Sequence, residues 1–425
     1  MKKHPVVSII GGTIWGNRGA ESMLVTVIGK LREIDPETRF NVFSYYPTRD
    51  RELVSDELVT ILSGKPVSLI SRHFIGALVV AVLKKLGIKA PRGDFFKIAR
   101  AYRESDLLLD IGGITFSDGR EKYLPFNILT IWPAMLLHVP VVKLAQAVGP
   151  FRHQINRLCA KIFLFRCAQV FARGEKTAEF LKELQFPPDC FDTAADIAFL
   201  YKADYSLSEE NPEKVEDLMA WIGEEKKRGK KIIVFSPSVL VDQESTNQGL
   251  NYAQGFFDVI QKLGVDSYAY VFIPNATRET SDKTHNNDIL AIRRMMEMAS
   301  SGGLPEPMLE AVKWVTYDIN SKSIRQIIGS ADALVTSRYH AMISGLSLAV
   351  PTLVIGWGHK YRETMAYFGL EQYSLDFSDD TSDLAGSVRE LLDQKNAIRK
   401  QIKAHLPEVQ AKSEIQFAYL AQVLS

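Results

Sequence analysis

The feature that most limits how this chain can fold is a unit that recurs along it: a short apolar run, a glycine-rich or polar turn, then a helical pattern. In the first half the apolar runs are Val6–Ile10, Phe40–Ser44, Leu107–Ile111, Val141–Ala145 and Gln169–Ala172. In the second they are Lys231–Phe235, Tyr268–Ile273, Ala333–Thr336 and Thr352–Ile355. Runs without strict polar alternation suit strands covered on both faces. Helices between such strands make right-handed crossovers, so the sheets are expected to be parallel. A chain of 425 residues is too long for one such layer. The pattern breaks at the polar stretch 204–213 and the charge cluster Glu224–Lys230, then restarts at Lys231. The expected fold class is α/β, with two doubly wound Rossmann-like domains, residues 1–205 and 206–425, the second ending in helices. Such domains facing a cleft would hold ligands at the carboxyl ends of their strands.

Several classes of protein are set aside early. Apolar residues make up 46% and charged residues 24%, which is the balance of a globular chain. The 51 basic and 50 acidic residues give +1, so bulk charge does not make this a nucleic-acid coat, and no nucleic-acid partner is expected. Cys159, Cys167 and Cys190 follow no zinc or redox spacing, which fits structural thiols in a reducing, cytoplasmic compartment. Met1-Lys2-Lys3-His4-Pro5 leads straight into an apolar run too short for a signal core. The stretch Ile128–Leu144 is interrupted by Pro133, His138, Pro140 and Lys143, so it reads as helix, turn and strand; a bilayer span needs about 20 apolar residues. There is no HExxH, CxxC, DxD, GxSxG or Walker A element, and neither a metal nor a cofactor is expected.

One segment stands apart. Residues 72–103 carry Arg72, Lys84, Lys85, Lys89, Arg92, Lys97, Arg100 and Arg103 against Asp94 alone, a net +7. The segment includes the apolar run Phe74–Leu83. It reads either as a crossover helix with a solvated basic end or as a surface resting on the anionic inner face of a membrane. By itself the run is too short to span.

The most informative stretch is 332–351. A buried strand ends at Thr336, Ser337 is a good N-cap, and a helix follows until Pro351 stops it. Arg338 and His340 then fall in the first helical turn, where free N–H groups and the helix dipole favour an anion. Arg338 brings a planar fork for carboxylate or phosphate, and His340 a proton donor near neutral pH. The competing reading is an Arg paired to a nearby carboxylate and a His packed as a cap. The next strand ends in Gly356-Trp357-Gly358, followed by His359, Lys360 and Arg362. These three are either a solvated loop or, through Lys360, a third cation at the same sheet edge.

In the first half, Gly11-Gly12-Thr13-Ile14-Trp15-Gly16-Asn17-Arg18-Gly19-Ala20-Glu21 turns from the first strand into a helix without a GxGxxG pattern. Glu21 is a capping carboxylate or a hydroxyl-binding one. Asp110-Ile111-Gly112-Gly113 is a second strand-to-glycine turn, where Gly112 and Gly113 permit close approach of backbone to ligand or only a tight turn. Arg173 stands where another strand hands over to a helix, and Asp196 lies near the end of the half.

As an ordered set these segments resemble the polysaccharide pyruvyl transferase family. The matching pieces are Gly16-Asn17-Arg18-Gly19-Ala20-Glu21, Ile111-Gly112-Gly113, Gln146-Ala147-Val148-Gly149-Pro150, Ala172-Arg173-Gly174-Glu175 and Ala195-Asp196-Ile197-Ala198-Phe199. The most specific is Ser337-Arg338-Tyr339-His340-Ala341 with Gly345, Val350-Pro351 and Lys360. The resemblance implies an architecture like the B-type glycosyltransferases. It also implies transfer of a pyruvyl group from phosphoenolpyruvate to sugar hydroxyls as a ketal, in assembly of a cell-surface exopolysaccharide.

Under that resemblance Arg173, Arg338 and Lys360 hold the donor and His340 is the general acid. Ser337, Asn17, Glu21, Gly112, Gly113 and Asp196 complete the binding set, and the base is Asp110, Asp118, Asp196 or Glu21. The partners implied are phosphoenolpyruvate and a saccharide acceptor, which the basic-apolar segment suggests is lipid-linked and met at the membrane's inner face. Two other readings compete. One is a nucleotide-sugar glycosyltransferase of similar fold. The other is a non-catalytic sugar-binding relative, hinted at by Ala20 where the family commonly has an acidic residue.

Overall fold

The computed structural model describes residues 4–203, 205, 207–280, 286–356, 359–376 and 383–425. The chain divides into two compact units, each built on a parallel sheet. The first holds residues 1–15, 20–207 and 410–425, and the second holds residues 16–19 and 208–409.

The sheet of the first unit contains β1 (Val6–Ile10), β2 (Arg39–Ser44), β3 (Val59–Ser63), β4 (Leu107–Asp110), β5 (Ile114–Thr115), β6 (Val141–Val148), β7 (Gln169–Arg173) and β8 (Phe191–Ala194). Their order is β3-β2-β1-β4-β6-β7-β8, with β5 pairing β6. The central strands are buried on both faces: β1 and β4 show no exposed residue. That is why their sequences read as unbroken apolar runs. The direction of strand addition reverses between β1 and β4, and the turns following these two strands stand side by side there. The contact is so close that a Cβ on Gly11 would meet the Gly112 amide nitrogen at 2.5 Å, and Gly11 itself has φ +86°. Only glycine fits both conditions.

The second unit contains β9 (Lys231–Ser236), β10 (Tyr268–Phe272), β11 (Val312–Trp314), β12 (Ala333–Thr336), β13 (Thr352–Gly356) and β14 (Ser374–Asp376). Their order is β11-β10-β9-β12-β13-β14, the doubly wound arrangement in which the crevice opens between the first and fourth strands. Here those strands are β9 and β12.

All nine expected strands are present. Among the described residues five others escaped the sequence pattern: β3, β5, β8, β11 and β14. They are short or lie at or near a sheet edge, and half-exposed stretches such as Phe191-Asp192-Thr193-Ala194 carry no continuous apolar run. β6 runs three residues beyond the expected Ala145, through a register shift between Lys143 and Gln146. The unit boundaries also depart from a single cut at 205/206. Residues 16–19 belong with the second unit, and the 30-residue helix Lys395–Leu424 ends in the first. Its last turns are bound there by Ser413, whose hydroxyl donates to the Asp196 carbonyl at 2.9 Å, and by Gln416, whose amide donates to the Ala195 carbonyl at 3.0 Å. A cut by composition does not see such returns. The turn residues Trp357 and Gly358, and Ser206 at the expected boundary, lie outside the described residues.

The apolar segment at 74–83 is longer than its sequence suggested. It belongs to a continuous 20-residue helix, Pro66–Lys85, which is long and apolar enough to cross a membrane by length and composition. A third of it is nevertheless buried within the first unit. His73, fully buried, pins it: its Nδ1 lies 2.8 Å from the Tyr102 hydroxyl and its Nε2 2.8 Å from the Ser63 carbonyl.

Burial pushes the His73 imidazole down to about 4 from an ordinary 6.5. The native ring therefore stays neutral where the unfolded one takes up a proton. Stability from this group is full above pH 6.5 and is lost as pH falls towards 4. The loss should be on the order of 3 kcal/mol. Denaturant unfolding measured across that range should show the fall, and His73→Gln should lack it.

Candidate functional site

The geometry of the second unit's crevice follows from one buried carboxylate. Asp288 begins the helix Asp288–Met298 and is fully buried. Its Oδ1 accepts from the Val239 amide at 3.0 Å, and its Oδ2 from the amides of Asn275 at 3.1 Å and Ala276 at 2.8 Å. Those amides belong to the turns that follow β9 and β10. The same carboxylate takes the Arg338 guanidinium, through Nε at 3.0 Å and through Nη2. Arg338 Nη1 donates to Asn286 Oδ1 at 2.8 Å. Arg338 is thus aimed by its neighbours, and its side chain stays 14% exposed.

The helix after β12 runs Tyr339–Ser347, with Arg338 at its N-cap. This differs from the expected cap at Ser337. Ser337 is buried and its hydroxyl meets the Tyr252 hydroxyl at 2.5 Å, so it does not cap the helix. His340, half-buried, is the second helical residue. Lys360 lies over two rings beside that helix start, 5.2 Å from the Tyr339 centroid and 5.1 Å from that of Tyr361. The Tyr361 hydroxyl donates to the Ser337 carbonyl at 3.1 Å and fastens the two strand-end turns together.

Three further contributors carried no role in the sequence pattern. Arg18 is buried, pairs with Glu210, and donates through Nε to Thr277 Oγ1 at 2.8 Å. Its amide donates to the Asn275 carbonyl at 3.1 Å. Arg278, almost as buried, packs against Gly16, where a Cβ would lie 2.8 Å from its Nε. Gly19 is the floor beneath the imidazole: a Cβ there would stand 2.1 Å from His340 Nδ1 and 2.9 Å from His340 Cβ. Asn17, half-buried, lies in the same four-residue stretch. The cationic turn after β10 was a usable signal for Arg278. Nothing local marked Asp288 or Glu210, whose partners are distant in sequence.

The remaining expected residues lie in the first unit. Gly112 and Gly113 line a cavity of about 310 Å³ together with Gly12, Tyr45, Arg120 and Tyr123. Gly112 N donates to Asp110 Oδ1 at 2.9 Å. The other Asp110 oxygen takes the buried Lys143 ammonium, so that carboxylate is committed to the fold. Arg173 and Asp196 form a buried pair at 3.0 Å, and Arg173 Nη2 also donates to the Gly113 carbonyl at 3.1 Å. Asp196 is fully buried and further accepts from the Ala198 amide at 3.0 Å. Glu21 is buried in the first turn of the helix Arg18–Ile34, where a negative charge is favoured. Asp118 accepts from the Arg152 amide at 2.7 Å and from Asn156 Nδ2 at 2.8 Å.

Two parallel-sheet α/β units with doubly wound strand order define a Rossmann-like protein of the kind seen in sugar-nucleotide epimerases and B-type glycosyltransferases. The solved putative UDP-N-acetylglucosamine 2-epimerase from Listeria monocytogenes matches with a TM-score of 0.59 at 14% identity, covering 98% of this chain and 95% of the other. Anabaena Alr3699/HepE in complex with UDP-glucose matches with a TM-score of 0.53 at 10% identity, covering 99% and 98%. Identities this low speak for the fold alone.

Family is shown by sequence. Residues 17–359 match polysaccharide pyruvyl transferase, and the chain belongs to that family. Amylovoran biosynthesis protein AmsJ of Erwinia amylovora is 21% identical over 413 residues, 93% of this chain and 94% of AmsJ. The protein is therefore a transferase of polysaccharide biosynthesis.

Two outcomes test this geometry. Asp288→Ala leaves the Arg338 charge and several amides without their acceptor, and should cost about 3–5 kcal/mol of unfolding free energy. Gly19→Ala drives a methyl group into the imidazole and should cost about 1–3 kcal/mol. Much of that second loss should return in Gly19→Ala/His340→Ala, as read by a double-mutant cycle of denaturant midpoints.

Proposed function

We propose that this transferase takes a pyruvyl group from phosphoenolpyruvate and places it on two hydroxyls of a sugar as a cyclic ketal, in the making of an exopolysaccharide. The observation that carries the reading is the grouping of Arg338, His340 and Lys360 around the start of helix Tyr339–Ser347, at the switch point between β9 and β12. Phosphoenolpyruvate has a carboxylate and a phosphate on a three-carbon frame. Arg338 offers a guanidinium charge fixed in place by Asp288 and Asn286, Lys360 a point charge, and the helix start the positive end of its dipole. Arg173 belongs to the first unit, where it pairs with Asp196 and the Gly113 carbonyl, and the proposed grip does not use it.

In the proposed chemistry His340 gives a proton to the methylene carbon, C3, as C2 becomes electrophilic. A sugar hydroxyl adds to C2 and loses its proton. The C2–O bond to phosphate breaks, phosphate departs with the bonding pair, and a neighbouring hydroxyl closes the second C–O bond as its proton passes to the departing phosphate. Fixed cations offset the charge that builds on the leaving phosphate. Gly19 beneath the ring sets where the proton is delivered. The cavity at Gly112 and Gly113, bordered by Tyr45, Tyr123 and Arg120, has the aromatic and polar lining that a saccharide acceptor needs.

The reading is tested by incubating the protein with phosphoenolpyruvate and acceptor sugars while following phosphate release and ketal formation. His340→Gln should lower kcat by about 10²- to 10⁴-fold with little change in donor affinity. Arg338→Lys should weaken the donor's hold, because an ammonium cannot reproduce the fork. Retained turnover in His340→Gln would remove the acid assignment. Stabilisation by nucleotide sugars, with none by phosphoenolpyruvate, would favour a glycosyltransferase. Sugar binding without turnover of any donor would mark a non-catalytic relative.

A further inference from the structure

The first unit carries an outer surface that neither the sheet nor the crevice explains. Along the helix Pro66–Lys85 and its exit, Val67, Ile70, Ile75, Leu78, Val82 and Leu86 are all exposed, Val67 by 77% and Leu86 by 66%. They fall at intervals of three to five residues. This is one stripe once the π-helical turn Leu69–Ile75 is allowed for. The opposite face of the same helix is packed, with Leu69, His73, Ala77 and Val80 buried.

A second helix, Gln154–Phe163, repeats the design. Ile155 is 63% exposed, Leu158 58% and Ile162 40%, while Asn156, Ala160 and Phe163 are buried. Both helices pack against the helix Leu124–Leu136. A chain of rings links the three. Phe74 meets Trp132 at 4.6 Å between centroids, and Trp132 meets Phe163 at 5.3 Å. The three helices therefore form one layer on one side of the sheet, and their unpacked stripes open outward on that side.

The charges on these two segments are mostly positive, with Asp94 beside Arg72 and Asp118 and Glu121 against Arg152 and His153 as the exceptions. Residues 65–103 hold nine cations against Asp94, which sits 3.7 Å from Arg72. Residues 152–166 hold Arg152, Arg157, Lys161 and Arg166 with no carboxylate. The chain as a whole is close to neutral, so this concentration is local. Exposed aliphatic side chains bordered by lysine and arginine match the two layers of a bilayer surface: acyl chains below and anionic headgroups above. A two-fold contact with a second copy of this chain would bring this positive face against itself, which charge opposes.

We propose that the outer face of helices Pro66–Lys85 and Gln154–Phe163 docks on an anionic phospholipid surface, lying in the interface without crossing it. Crossing is opposed by His73, which would have to leave its bonds to Tyr102 and Ser63. The inference stands on this surface alone and does not depend on the donor chemistry. If the acceptor is lipid-linked, docking brings it to the enzyme.

The test is flotation of the full chain with vesicles of phosphatidylcholine alone or with about 30% phosphatidylglycerol. Binding is expected to the anionic vesicles, and to weaken in high salt as the screening length falls below its value of about 8 Å at physiological ionic strength. Leu78→Ser/Val82→Ser, Ile155→Ser/Leu158→Ser and Lys84→Glu/Lys85→Glu should each reduce binding by about tenfold or more. These positions are exposed, so the circular-dichroism spectrum and unfolding midpoint should not change. Two results would overturn the proposal: a chain that stays unbound with anionic vesicles at low salt, or a dimer in their absence that Leu78→Ser/Val82→Ser breaks. Because vesicle binding is read without turnover, its failure would leave the phosphoenolpyruvate reading untouched, and the reverse also holds.

Discussion

A carboxylate with no exposure to water holds the second unit's crevice in shape. Asp288 receives amides from the turns after β9 and β10 and the guanidinium of Arg338 from the turn after β12. Removing a charge from water is costly, and this site offsets the cost with a full set of donors. The result is directional. Arg338 is presented in one orientation, at the start of a helix whose own amides favour an anion. His340 follows two residues later, and its ring is set against the bare backbone of Gly19.

The first unit uses the same device at other positions. Asp110 ties the glycine turn after β4 to Lys143 on β6, both buried. Asp50 gathers the amides of Ile14 and Trp15 and the hydroxyl of Ser44, so the turn after β1 is held to the end of β2. Burial nonetheless raises the Asp50 carboxyl above its ordinary value, desolvation outweighing the four hydrogen bonds that favour the charged form. Arg173 and Asp196 clamp the Gly113 loop to the ends of β7 and β8. In both units, then, the turns at the carboxyl edge owe their form to buried ion pairs and carboxylate-amide bonds. These residues are chemically of the kind that catalyse, yet several are spent on architecture.

That ambiguity explains where sequence reading stopped. Arg338, His340 and Lys360 were recognisable because a strand, a cation and a helix start followed one another within a few residues. Arg173 stood at a similar strand-to-helix turn and Asp196 carried a binding role only through the family resemblance, and the 3.0 Å contact between them shows that each is the other's partner. Ser337 had the composition of a cap, but Tyr252, some 85 residues earlier, takes its hydroxyl. Asp288 and Glu210 had no local pattern at all. The exposed stripe on Pro66–Lys85 was half visible: its charges could be counted, but which apolar residues face outward depends on what the helix packs against.

The amino-acid order by itself determined the α/β class, the parallel central strands and the helix start that carries Arg338 and His340. These follow from short-range causes: apolar periodicity, glycine where φ is positive, and proline where a helix must end. The tertiary structure alone decided the strand order, the return of the last helix to the first unit, and which charged side chains are spent on one another. Those outcomes depend on contacts between residues tens to hundreds of positions apart. Burial sets their worth, since a carboxylate that would be solvated on a surface becomes, once water is excluded, the fixed point around which its neighbours must arrange.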